Sequence, residues 1–290
     1  MSRDHLSWDV WWDVHQMLAF HFMVNALRAG TIVAVAAGVI GWFMVLRNQS
    51  FAGHTLALAG FPGASCAIWL GVSAQFGYFG FCIAAAAVIA VAGRTGVTGA
   101  YPEESALVGT VQAYLLAGGV LFVSLYKGFL NSVTGLLFGS ILGVTDRQVV
   151  VLLAVAAGAL AVLAVAGRPL FFASVDPYVA AAQGVPVRLL SGAFLILMGT
   201  AAAEVSQITG SLLVFALMVM PAAAARAVTT RPGTSLVLTV VIALGVTWVG
   251  FGLAYFSVYP VGFFVTSVGF VVYLVATMGR LRAERAAGRS

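Results

Sequence analysis

Charge is what this sequence lacks. Of 290 residues only 14 are Lys or Arg and 9 are Asp or Glu, so 8% of the chain is charged, against about 25% in a soluble domain. With 62% hydrophobic residues and a mean hydropathy of +1.06, the chain has too few charges to cover a globular surface in water. A bilayer requires apolar surface instead. Cysteine is equally scarce. Cys66 and Cys82 stand in separate apolar runs without C-x-x-C spacing, which excludes a thiolate metal knuckle or redox pair and leaves two small buried hydrophobes. There are four histidines and no H-E-x-x-H or G-x-S-x-G stretch, so neither zincin nor serine-hydrolase chemistry is encoded. The phosphate-binding pattern G-x-x-x-x-G-K-[ST] is also missing, and Gly93-Arg94-Thr95-Gly96 lacks its lysine and its spacing. The net charge of +5 is spread singly between apolar runs; without a basic patch interleaved with aromatics, nucleic acid is excluded as a partner.

What is present is a succession of long apolar runs. A spanning helix needs roughly 20 such residues, and runs occur at 19–46, 51–71, 75–93, 105–125, 148–167, 189–206, 209–226, 234–256 and 261–279. They predict an all-α fold, a polytopic membrane helix bundle of about nine spans. The Gly-rich stretch near 132–145 is too short to cross and is read as dipping in and returning. The N-terminus carries Asp4, Asp9 and Asp13 where a cleaved signal would be basic. Trp8, Trp11 and Trp12 predict an interfacial helix there.

The basic residues orient the bundle. With the N-terminus outside, Arg47, Arg94, Arg168, Arg188, Arg226, Arg231, Arg280, Arg282, Arg285 and Arg289 lie inside, whereas Arg3, Lys127 and Arg147 lie outside. That asymmetry predicts N-out, C-in. Residues 1–18 are then an extracytoplasmic or interfacial segment, 19–279 one integral membrane domain with an inner loop at about 168–188, and 280–290 a basic cytoplasmic tail. Abundant small residues, such as Ala84 to Ala87, fit close helix packing.

Polar groups inside a membrane are costly and mark candidate sites. His54 lies near the inner start of the second run and Glu204 near the outer end of the sixth; both are candidate metal ligands. Arg28, inside the first run, predicts a buried ion pair with Glu204 at similar depth. His21 and Asn25, at a helix end, are weaker candidates. Pro62 and Pro221 interrupt apolar runs, and with Met220 they are candidates for lining a substrate path, because proline frees a backbone carbonyl. In the inner loop Asp176 predicts an N-cap and Pro177 the first helical position. Ala181 lies within the short helix that follows, Gly184 stops it and Pro186 forbids its continuation. Such a stiff, apolar cytoplasmic helix suits docking into a partner.

These residues carry a resemblance. Ala29-Gly30-Thr31 through Gly41-Trp42-Phe43-Met44-Val45-Leu46-Arg47, then Ser50-Phe51-Ala52-Gly53-His54, Glu103-Glu104-Ser105-Ala106, Leu137-Phe138-Gly139-Ser140, Asp176-Pro177 to Gly184-Val185-Pro186, and Gly210-Ser211-Leu212-Leu213 running into Pro221-Ala222-Ala223 follow the order and spacing of a known family. The sequence resembles the zinc/manganese/iron permease family of ATP-binding-cassette importers from about Phe22 to Met278. The resemblance implies a permease subunit of the bacterial cytoplasmic membrane that is not itself an enzyme and binds no cofactor. Its partners would be a second permease subunit, cytoplasmic ATPase subunits that use the ATP, and an extracytoplasmic metal-binding protein. The cargo would be a zinc, manganese or iron ion or its chelate, and 176–184 would be the ATPase-coupling segment. The family usually places a second histidine four residues after the position of His54, on the same helix face. Here that residue is Leu58, which cannot ligate a metal, so the cargo's identity stays open. Two rival readings also remain: a stand-alone ion-coupled secondary carrier and a non-transporting membrane assembly subunit.

Overall fold

The computed structural model describes residues 18–93, 102–125, 137, 143–211 and 214–287. Ten helices account for nearly all of them: α1 (His21–Leu46), α2 (Ser50–Trp69), α3 (Ala74–Ala92), α4 (Pro102–Leu125), α5 (Asp146–Val175), α6 (Pro177–Ala182), α7 (Val187–Thr209), α8 (Val214–Val228), α9 (Pro232–Tyr255) and α10 (Val261–Ala287). Among the described residues eight helices are long and apolar enough to cross a membrane: α1 to α5, α7, α9 and α10. The expected tryptophan-rich helix at the N-terminus, the Arg94-Thr95-Gly96 stretch and most of the dip near 132–145 lie outside the described residues, as do the side chains of Glu103 and Glu104.

Helices form here because an apolar environment leaves backbone groups no partner except one another. What sorts them is side-chain size. α1 is the central element: it packs against α5, α7, α8 and α9 and is mostly buried along its length. α2, α3 and α4 form a second group, joined to the first largely through α7. Small residues permit the closest crossings. At the α2–α3 crossing Gly63 and Gly77 each face the other's backbone carbonyl with no room for a β-carbon, the kind of contact that dispersion and weak Cα–H···O bonds favour in lipid.

Two expected boundaries differ from the observed ones. α5 does not stop at Gly167 but runs on for eight more residues through Pro169 to Val175, so Arg168 lies on a helix and the inner loop is shorter than predicted. A proline inside a helix removes only one backbone bond, and the turns on either side hold. The run at 209–226 is realised as the fifteen-residue α8, about 22 Å long at helical rise and shorter than a full span. Thr209 closes α7, Gly210 turns the chain at φ +81° in the left-handed region, and Ser211 is fully buried. The ring of Phe215 then meets His54, only one turn into α2, edge-on at 5.0 Å between centroids. α8 therefore begins within the bundle, where irregular backbone is tolerated because protein covers it. Its other end is tied to α1 by Arg226 Nη1 donating to the Val45 carbonyl at 2.9 Å.

Candidate functional site

Polar side chains gather in three places. At the Asp146 end of the bundle, Asn25 Nδ2 donates to Asp146 Oδ1 at 2.8 Å, and His21 Nε2 lies 3.2 Å from Asp146 Oδ2. Their α1 spacing of four residues puts both on the face that meets α5. Gln148 Nε2 donates to Gln207 Oε1 at 3.3 Å nearby, joining α5 to α7. The two helix-end residues judged weakest from the sequence thus form a real cluster, because Asp146 on a helix 121 residues away faces them.

The membrane interior holds the second set. Glu204 is fully buried on α7, and among the described residues neither carboxylate oxygen has a hydrogen-bond partner. The expected ion pair with Arg28 does not form: Arg28 is exposed on α1, whereas Glu204 is buried and unpartnered among the described residues. Similar depth along two helices did not suffice, because the side chains leave their helices on different faces. His54 is half-buried, and its Nδ1 is enclosed without a partner among the described residues. No hydrogen bond joins His54 to Glu204. Among the described residues no three His, Cys, Asp or Glu side chains come together as a metal cluster.

Of the other predicted path residues, Pro62 and Pro221 are both buried inside their helices. Pro62 and its neighbour Phe61 lie against Gly119 of α4. Met220 is half-buried and turned toward Gly269 of α10, its Sδ among the atoms that a β-carbon there would meet. They pack the crossings of α2 and α8; no single channel wall collects them.

The third place is the end of the bundle marked by Arg47. Here α6 forms as its sequence predicts. Asp176 Oδ1 accepts from the amides of Tyr178 at 3.0 Å and Val179 at 2.9 Å, Pro177 occupies the first turn, and Gly184 takes φ +82°, which L side chains rarely adopt. Ala180 is fully buried and anchors the helix, while Ala181 and Ala182 are exposed, and Tyr178 is 78% exposed. This short element stands outside the spans with an apolar aromatic surface uncovered.

Beneath it sits Arg47, which the sequence marks as a topology signal and as the end of the Gly41–Arg47 stretch. Arg47 is 6% exposed. It donates to Ser174 Oγ of α5 at 3.0 Å, to Ser191 Oγ of α7 at 2.5 Å and, more weakly, to Gln49 Oε1 at 3.4 Å. Phe194 lies under the guanidinium, 5.6 Å from carbon to ring centroid. Burial pushes the guanidinium down to about 10, so it remains charged at neutral pH. Arg47 thereby links α1 to the helices that enter and leave the α6 loop. Nothing in a one-dimensional pattern marks it, since Ser174 and Ser191 are ordinary residues until the fold brings them together.

Known proteins share this fold. The profile of the ABC 3 transport family matches residues 19–280. The chain is 26% identical over 257 residues to the manganese import system permease protein ScaB of Streptococcus gordonii, covering 89% of this chain and 91% of that one. It is 29% identical over 245 residues to the chelated iron transport system membrane protein YfeC of Yersinia pestis, covering 84% and 80%. The solved structure of PsaBC from Streptococcus pneumoniae in complex with Fab superposes with a TM-score of 0.80 at 24% identity, covering 92% of this chain and 95% of that one, which shows the same fold. This chain belongs to the ABC 3 transport family and is a multi-pass membrane transport protein.

Proposed function

We propose that this chain is the permease subunit of an ATP-binding-cassette importer for a divalent transition metal or its chelate. The observation that carries the reading is α6. It is capped by Asp176, closed by Gly184 and exposes Tyr178 beyond the spans, on a chain whose sequence holds no phosphate-binding loop of the G-x-x-x-x-G-K-[ST] type. A stiff helix with an uncovered aromatic surface fits the groove of a separate cytoplasmic ATPase and transmits its motion. Arg47 would carry that motion from the α6 loop into α1. The arginine asymmetry supports N-out, C-in, with α6 and the tail 280–290 in the cytoplasm. A second permease subunit and an extracytoplasmic metal-binding protein complete the assembly.

The names of its relatives support manganese or chelated iron as cargo. Glu204 and His54 are the ligands we propose within the membrane. A carboxylate buried without a partner is costly, and a passing cation would offset that cost. Leu58, buried beside His54 on α2, removes the second imidazole and favours transient contact or a pre-formed chelate.

The test is reconstitution of the full complex in proteoliposomes with manganese and chelated iron supplied separately. ATP-dependent uptake of one of them is expected. Gly184→Arg, which adds bulk and charge at the docking surface, should abolish stimulation of the ATPase. Uptake that proceeds without nucleotide would overturn the reading in favour of a secondary carrier.

A further inference from the structure

A groove of about 710 Å³ opens at the Arg226 end of the bundle, bounded by α1, α5, α8, α9 and α10. It has no part in the α6 loop or at Glu204. Its mouth is built of hydrogen-bond donors from separate elements. Arg226 of α8 and Arg280 of α10 both line it. Arg226 commits Nη1 to the Val45 carbonyl, and a guanidinium carries five N–H groups in all. Arg280 donates through Nε to Glu284 Oε1 at 2.7 Å, and Glu284 is the one acid on the wall. Ser235 Oγ accepts from the Trp42 indole at 3.0 Å, which leaves its own proton to give. Thr277 Oγ1, also on the wall, is buried with no partner among the described residues.

The backbone adds to this. α9 begins on the groove at Pro232, which has no N–H, and the Ser235 amide is taken by the Arg231 carbonyl. The amides of Gly233 and Thr234 are left without helical acceptors, at the positive end of a 24-residue helix. Thr229 and Thr230 add two more hydroxyls to the lining, and one side of it is apolar and aromatic: Trp42 stacks on Phe171, 6.1 Å between centroids, beside Leu46 and Ala223. Donors and positive charge at the mouth, with apolar wall beside them, match one class of molecule, an amphiphile with an anionic head. The groove lies at the ends of spanning helices, where lipid headgroups sit, and basic pockets between such helices hold phosphate headgroups.

We propose that this groove seats the phosphate of an anionic phospholipid between Arg226 and Arg280, with an acyl chain along the aromatic wall. The site is independent of the cargo and of the importer reading; it requires only that the chain span a membrane.

The test is native mass spectrometry of the full chain released from nanodiscs of equal phosphatidylglycerol and phosphatidylcholine. Retained phosphatidylglycerol in excess over phosphatidylcholine is expected. Arg226→Gln and Arg280→Gln should each lower that retention about fivefold, the worth of one basic residue at a membrane surface. Glu284→Gln, which frees Arg280 from its intramolecular partner, should raise it. Arg147→Gln, at the opposite end of the bundle, should leave it unchanged. Equal retention of both lipids, or a doubly substituted chain that holds phosphatidylglycerol as well as the parent does, overturns the proposal. So does full displacement of the lipid by millimolar inorganic phosphate, because the site would then recognise free phosphate and not a lipid. The comparison of two lipids on the parent chain needs no variant, so a misfolded substitution cannot mask the answer.

Discussion

Gly41 of α1 faces the backbone carbonyl of Met218 in α8 so closely that no β-carbon fits between them. This contact holds the short α8 against the central helix, three residues before Pro221. Gly41→Ala must push the two backbones apart, because the obstructing atom is main chain and cannot rotate away. The expected loss is about 1–3 kcal/mol, as for other overpacked sites. Thermal unfolding in detergent measures it, with Gly80→Ala as the comparison, since a β-carbon at Gly80 meets nothing within 4 Å. Equal midpoints for the two variants would mean that this approach does not hold α8 in place.

Arg47 supports a second prediction. Replacing it with Gln removes charge-assisted bonds to Ser174 and Ser191, worth about 1.5–3 kcal/mol each. Arg47→Lys should rescue little, because one ammonium lacks the planar fork that reaches two helices. A lysine variant as stable as the parent would show that the charge alone matters. Its folded value, about 10, lies below the unfolded one, so its contribution to stability rises with pH only in the alkaline window between them. Around neutrality no pH dependence from Arg47 is expected.

Glu204→Gln separates stability from transport. The amide keeps the shape and cannot ionise, but it is left just as unpartnered, so the thermal midpoint should change little. Metal uptake by the reconstituted complex should fall at least about tenfold if the carboxylate meets the cation, since one charged hydrogen-bonding contact is worth that much. Unchanged uptake would remove Glu204 from the path and leave the importer reading intact.

Asp176→Ala tests the lever. It deletes the acceptor for the Tyr178 and Val179 amides at a cost of about 1 kcal/mol to a helix of only six residues. ATP hydrolysis by the partner should persist while metal transported per ATP declines. Undiminished coupling would mean that α6 need not be stiff.

Leu58→His restores two imidazoles four residues apart on one face of α2. Tighter retention of a bare divalent ion and slower release are expected from equilibrium binding and uptake measured together. An unchanged affinity would place His54 outside the site.

Much of this was legible in one dimension because lipid leaves a chain few options. Long apolar runs must become helices, and a local cap such as Asp176-Pro177 acts within its own turn, so the spans and α6 could be read directly. At the polar sites the failures are all of one kind. Depth alone pairs Arg28 with Glu204, but a run of apolar residues fixes depth and not azimuth, and one side chain is exposed while the other is buried. Asp146 was invisible as the partner of Asn25 for the same reason, and Arg47 looked like a loop charge because its acceptors lie 127 and 144 residues away.

The sequence by itself determined that this protein lives in a bilayer as a helix bundle, and it marked the capped segment at 176–184, since hydropathy and capping act over a few residues. Only the tertiary structure decided which polar groups meet, that α8 starts inside the bundle, and that two arginines share one groove. Those outcomes depend on how helices rotate and cross, and that is set where Gly41 and Gly63 let backbones touch.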